Sequence, residues 1–184
     1  MHKYQDLSEF KLPNGFRNKH AVTVQMWWIV QATLFSMSPQ FMYSWRNFLL
    51  RSFGAKIGKN VIIRPSVRVT YPWKLSIGDN SWVGDHAELY TLGDITIGNN
   101  AVVSQKSYLC TGSHDHQSKA FDIYQKPIVI EDEAWVATDV YIAPGVTIGH
   151  GAVIGARSSV FKDMPAGMIC IGSPAKPIKP RIAK

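Results

Sequence analysis

The chain has 184 residues, 46% of them apolar and 18% charged, which is enough for one soluble domain with its own core. Its two cysteines, Cys110 and Cys170, are too few for a disulfide framework or a cysteine metal site and point to a reducing cytoplasm, and the start of the chain carries no secretory signal pattern. The net charge of +7 divides into +5 on residues 1–56, −3 on 57–156 and +5 on 157–184; without an aromatic-and-basic pattern this speaks against nucleic acid and for an anionic ligand or a membrane surface near the ends.

The first 56 residues form a segment without repeats. Residues 21–35, AVTVQMWWIVQATLF, are apolar almost all round, yet short and interrupted by Gln25, Gln31 and Thr33. Ser38 and Pro39 predict a helix start, with Ser as N-cap and Pro at the first position; Phe41, Met42, Trp45, Phe48 and Leu49 share a face, and Gly54 ends it. Three placements stay open for this helical segment. It packs on the rest of the molecule or on a neighbouring subunit. It makes peripheral contact through 21–53 with the inner face of the cytoplasmic membrane, with Trp27, Trp28, Arg17, Lys19, Arg46 and Arg51 at the interface. Or it spans the membrane.

From residue 57 a six-residue beat sets in. Ile57, Ile63 and Val69 open it; Ile77, Val83, Leu89 and Ile95 follow, then Ile97, Val103 and Leu109. Ile130, Val136, Ile142, Ile148, Ile154 and Val160 form the longest run. A period of six fits neither a helix face nor strand alternation. It fits a short strand plus a tight corner, three to a triangular turn of a parallel β-helix over 57–172. Asn60, Asn80 and Asn100 sit at matching corners, where the backbone must turn left-handed. The beat stops after Leu109, so 111–127 are expected to leave a corner as an excursion, and such loops tend to carry function. The excursion holds TGSHDH. Residues 173–184 are proline-rich, basic and expected to be an extended tail.

Two stretches carry a family resemblance. IAPGVTIGHGAVIGARSSVFKDMPAGMICIGSPAK from Ile142 resembles the sugar O-acetyltransferase branch of the hexapeptide-repeat acyltransferases, and FGAKIGKNVIIRPSVRVTYPWKLSIGDN from Phe53 is similar to acetyltransferases assigned to colanic acid biosynthesis. The resemblance covers Gly54 to about Lys179. It implies an all-β solenoid in the form of a left-handed parallel β-helix, acetyl-CoA as donor with no metal, a sugar hydroxyl of an exopolysaccharide precursor as acceptor, and a homotrimer with active sites between subunits.

Alcohol acetylation needs a base for the hydroxyl proton, and neutral imidazole suits that work. By resemblance His114, counted from Ile95–Gly98, falls at the place of the family's catalytic histidine. The acceptor is expected near WVGDHAEL: Trp82 to stack on a sugar ring, Asp85 to accept from hydroxyls, with His86 and His116 as further contacts and Glu88 in the same run. The resemblance also implies that Trp135 and Thr138 flank the pantetheine arm and that Gly155 and Ala156 offer it backbone groups. Phe161 and Lys162 lie further along, and Lys176 and Lys179 fall near the nucleotide phosphates, where the family's usual arginines are lysines here. His2, His20 and His150 are assigned to surface or packing. Two rival readings remain: a γ-carbonic-anhydrase-like metalloenzyme using His86, His114 and His116, and a non-catalytic scaffold.

Overall fold

The structure, a computed structural model, describes residues 4–182. His2 and the last two residues of the tail lie outside them. The hexads fold as the beat requires. Three parallel sheets wrap one narrow core. The first face stacks strands Lys56–Ile57, Leu75–Ile77, Ile95–Ile97, Ile128–Ile130 and Thr147–Ile148. The second stacks Ile62–Ile63, Trp82–Val83, Val102–Val103, Trp135–Val136, Val153–Ile154 and Met168–Gly172. The third stacks Arg68–Val69, Glu88–Tyr90, Tyr108–Cys110, Tyr141–Ile142 and Ser159–Val160. The second residue of each two-residue hexad strand points inward. Ile63, Val83, Val103, Val136, Ile154 and Cys170 thus form one buried column, and each aliphatic contributes about 1.5–3 kcal/mol by leaving water. In register, Ile77 meets Ile97. Ile95 is also buried, at the start of the same strand, because two extra residues enter the preceding corner.

The corners take the left-handed backbone the asparagines foretold: φ is 55° at Asn60, 59° at Asn80 and 52° at Asn100. Their neighbours stitch the coils. Asp79 Oδ1 accepts from Lys59 N at 2.7 Å, and Asp132 Oδ1 accepts from Asn99 N at 2.7 Å.

The N-terminal segment closes the solenoid's first coil, whose backbone has no earlier coil to pair with. Helix α1 (Ala21–Val30) runs into a π turn, Gln31–Phe35, and helix α2 (Tyr43–Ser52) follows. Val69 donates its N–H to Gln31 Oε1 and its carbonyl accepts from Trp27 Nε1, both at 2.7 Å. Arg46 Nε donates to Ile63 O at 2.7 Å, Asn47 Nδ2 to Val61 O at 2.8 Å, and Arg51 Nη2 to the carbonyls of Ile57 and Gly58. Two expectations are corrected here. Helix α2 starts at Tyr43, because Ser38 Oγ donates back to Phe35 O and accepts from Arg46 instead of capping; Arg46, Asn47, Leu49 and Leu50 are its buried residues, while Phe41 and Phe48 face solvent. Trp27 and Arg46 are fully buried, spent on the first coil, and so are not interface residues.

At the other end the tail does not merely cross the solenoid. Ala175–Pro180 folds back antiparallel on Met168–Gly172 and extends the second face by one strand. Residues 111–127 do leave the beat, as a hairpin of Gly112–His114 on Ile123–Gln125 between the third and first faces.

Candidate active site

The outward side chains differ sharply between faces. On the first face the outward line is Lys56, Ser76, Thr96, Val129 and Thr147; on the second it is Ile62, Trp82, Val102, Trp135, Val153 and Ile169, all apolar. A groove of about 700 Å³ runs along the second face. Trp82 and Trp135 stand in it, 53% and 45% exposed, and Trp135 Nε1 donates to Ser104 Oγ at 3.0 Å. One end is polar. Arg64 Nε donates to Asp85 Oδ2 at 2.8 Å, Ser66 Oγ donates to Asp85 Oδ1 at 2.9 Å, and the Tyr43 hydroxyl lies 3.4 Å from Arg64 Nη1. The Arg64 guanidinium holds the Asp85 carboxyl below its usual range. Asp85 therefore faces the groove with one hydrogen bond on each oxygen, held in place by Arg64 and Ser66 and with lone pairs left to accept from a hydroxyl.

Several expected partners are elsewhere. His86 turns the corner between the second and third faces with φ 57°, its N–H donating to Ser66 Oγ, and lines a separate cleft against Trp28 and Gln31 of the N-terminal segment. Thr138 lies two coils beyond that corner, its hydroxyl donating to Gln105 O of the intervening coil at 3.0 Å. The Gly155 N–H is spent on Cys170 O in the ladder to the last coil, so that turn does not offer this amide; Ala156 follows it at the corner. Phe161 and Lys162 are exposed past the end of the third face, with the Phe161 ring 5.8 Å from Tyr141. Lys179 stands opposite Ile169 and Lys176 opposite Ile171, both exposed on the second face's last strand.

The excursion places His114 half-buried at the end of its hairpin strand. Its ring stacks on Phe121 with centroids 4.1 Å apart and planes 9° apart, with Phe10 tilted against it at 5.9 Å. His114 Nδ1 lies 2.7 Å from Phe121 O. A carbonyl oxygen only accepts, so Nδ1 carries the proton and Nε2 keeps the lone pair. Asp115 does not touch this ring: its N–H donates to Asp122 O and its Oδ1 accepts from Gln117 N, which shapes the turn. His116 is exposed on that turn. Beside the hairpin root, burial pushes the phenols of Tyr90, Tyr108 and Tyr141 up, Tyr141 to about 12, so they stay protonated at neutral pH. Of the remaining histidines, His20 Nδ1 caps α1 by accepting from Val22 N, and the His150 N–H donates to Glu131 Oε2. Among the described residues no group of three His, Cys, Asp or Glu is placed to hold a metal ion.

Comparison with known proteins agrees with this architecture. Residues 127–162 match the family described as bacterial transferase hexapeptide (six repeats), and 74–105 match the hexapeptide repeat of succinyl-transferase. A protein of Escherichia coli (strain K12) named "Putative colanic acid biosynthesis acetyltransferase WcaF" is 65% identical over 178 residues, covering 97% of this chain and 98% of its own. This chain belongs to the hexapeptide-repeat acetyltransferase family. A galactoside O-acetyltransferase of the same organism is 32% identical over 73% of this chain and 68% of its own length. Among solved structures, a galactoside acetyltransferase in complex with coenzyme A superposes with a TM-score of 0.81 at 25% identity, covering 94% of this chain and 85% of that one.

For a member of this family, the groove adds residues that sequence reasoning passed over. Tyr43, Arg64, Ser104 and Gln105 line it. The signal was present in the coil period: register places Ile63 beside Val83 and Val83 beside Val103, so Arg64, Gly84 and Ser104 are one corner column. Tyr43 left no such signal, because it comes from α2, outside the repeat. The excursion does not line the groove. In one chain, His114 and the groove therefore lie on different sides of the solenoid.

Proposed function

We propose that this protein transfers the acetyl group of acetyl-CoA to a sugar hydroxyl of a colanic-acid-like exopolysaccharide precursor, in the cytoplasm, with His114 as general base. The observation that carries the reading is the 2.7 Å contact of His114 Nδ1 with Phe121 O, which leaves Nε2 of the stacked, half-buried ring as the proton acceptor. His114 Nε2 takes the hydroxyl proton as that oxygen bonds to the thioester carbonyl carbon. The C–S bond then breaks, and the imidazolium returns the proton to the CoA thiolate. The acetyl ester and free CoA are the products.

The apolar line of the second face supports a homotrimer in which one copy's excursion covers another copy's groove. Trp82 and Asp85 then mark the acceptor end and Trp135 the pantetheine arm. Lys176 and Lys179 lie about 24 Å beyond Trp82, five strand spacings along the face, where they offer counter-charge to the phosphates of an extended CoA. Thr138 and Ala156 border that path at the adjoining corner. Phe161, Lys162 and His116 approach it from the neighbouring copy, and His86 stays outside it.

The test is thiol release from acetyl-CoA with a panel of sugars and lipid-linked glycan fragments, comparing wild type with His114→Ala. Acceptor-dependent release should fall by roughly 10²–10⁴-fold in the variant, the usual worth of a general base. Equal release in both removes His114 from the mechanism. No release with any acceptor, together with no CoA binding, removes the transferase reading.

A further inference from the structure

The N-terminal cap has an outer side that the solenoid does not use. From His20 to Trp45 the chain contains no Asp, Glu, Lys or Arg. Met26 and Ile29 on α1, Leu34 in the π turn, and Met37, Phe41 and Phe48 around α2 are 52–79% exposed. Trp45 ties α2 to the π turn that continues α1, donating from Nε1 to Leu34 O and stacking on Phe48 at 5.8 Å, so the apolar side chains of the turn and of α2 belong to one surface. The inward sides of both helices are already satisfied by the first coil, through Trp27, Arg46 and Asn47. No helix among the described residues is long and apolar enough to cross a membrane.

The stretch of chain that carries this surface has charges of one sign. Residues 10–78 contain ten Lys and Arg and no Asp or Glu. Lys11 and Lys19 are exposed ahead of α1, and Arg51 and Lys56 at and beyond the end of α2. An uncharged apolar face carried on a basic stretch of chain, with Asp85, the carboxylate beside α2, already paired with Arg64, is complementary to an anionic bilayer surface, which accepts both the side chains and the charge. A second copy placed face to face would set like charges against one another.

We propose that the outer face of α1 and α2 docks the enzyme peripherally on an anionic lipid surface. The docking goes beyond the catalytic reading and does not depend on it. The experiment is flotation of the full chain with vesicles of phosphatidylethanolamine and phosphatidylglycerol, and with phosphatidylcholine vesicles, alongside the oligomer size in solution. Met37→Glu with Phe41→Glu is the variant, since both residues are 79% exposed. Wild type should float with the anionic vesicles and less with the neutral ones. The double variant should partition about 100-fold more weakly, two side chains of apolar insertion being lost. Three results overturn the proposal: wild type that stays unbound, a double variant that floats equally, or a variant that only breaks up an assembly that never bound lipid. The last assigns the face to a second copy.

Discussion

Lys74→Met tests whether a buried cation anchors the hairpin that carries His114. Lys74 is 5% exposed, and its ammonium has three N–H donors facing three oxygens. Phe16 O and Gln125 Oε1 accept at 2.9 Å, and Leu92 O accepts as well. The rings of Phe16 and Tyr71 lie 5.6 and 5.9 Å away. Gln125 pairs with Gly112 at the hairpin base, so one side chain joins the turn ahead of α1, the 90–93 turn and the excursion. Methionine keeps the stem and leaves two buried backbone carbonyls without donors, at about 1–3 kcal/mol each. Relief from burying a charge offsets part of that, since desolvation already pushes the Lys74 ammonium toward its neutral form. The net loss should be about 2–4 kcal/mol, a large share of a domain's ~5–15 kcal/mol. Denaturant unfolding measures the loss, and amide exchange locates it. The amides of Gly112–His114 and Ile123–Gln125 should lose protection before those of the solenoid, with turnover falling alongside. A loss under about 0.5 kcal/mol with unchanged hairpin exchange refutes the anchor.

Three other outcomes follow from the same geometry. Because Arg64 lowers the Asp85 carboxyl below its ordinary 3.8, the stabilisation from that pair is present above this value and disappears as pH falls through the lowered one; both partners are partly exposed, at 29% and 41%, so it amounts to at most about 1 kcal/mol. Wild type and Asp85→Asn should therefore converge in stability as acid titration proceeds below the ordinary value, and a gap that does not narrow as the pH falls contradicts the assignment. Lys176→Gln with Lys179→Gln should raise the KM for acetyl-CoA about 5- to 10-fold at unchanged kcat, an effect that salt erases, and a salt-independent change would place the phosphates elsewhere. Gly84→Ala would bring its new Cβ to 2.6 Å from the Gln105 backbone nitrogen, so the corner must shift; calorimetry should show about 1–3 kcal/mol lost, and a neutral result would mean the coils are not stacked this closely.

The sequence by itself determined the solenoid. Ile130 to Val160 in steps of six can bury their side chains on one axis only if a corner follows each strand, and Asn60, Asn80 and Asn100 supply the left-handed residue such corners need. It also located the excursion and His114, since a broken period marks where chain leaves a stack. What it left open depends on contacts between residues far apart. Ser38 looked like a cap, yet its hydroxyl turned to Phe35 O and Arg46 once the first coil's bare carbonyls drew Arg46 inward. That Asp85 is held by Arg64 and Ser66 was settled only when the neighbouring coil stacked against it. The Gly155 amide looked available until the last coil placed Cys170 O above it. The proton on His114 Nδ1 was likewise decided by the fold, because only the hairpin brings the Phe121 carbonyl within 2.7 Å of that nitrogen. Periodicity records which side chains share an axis; hydrogen-bond partners across coils are set only when the turns stack.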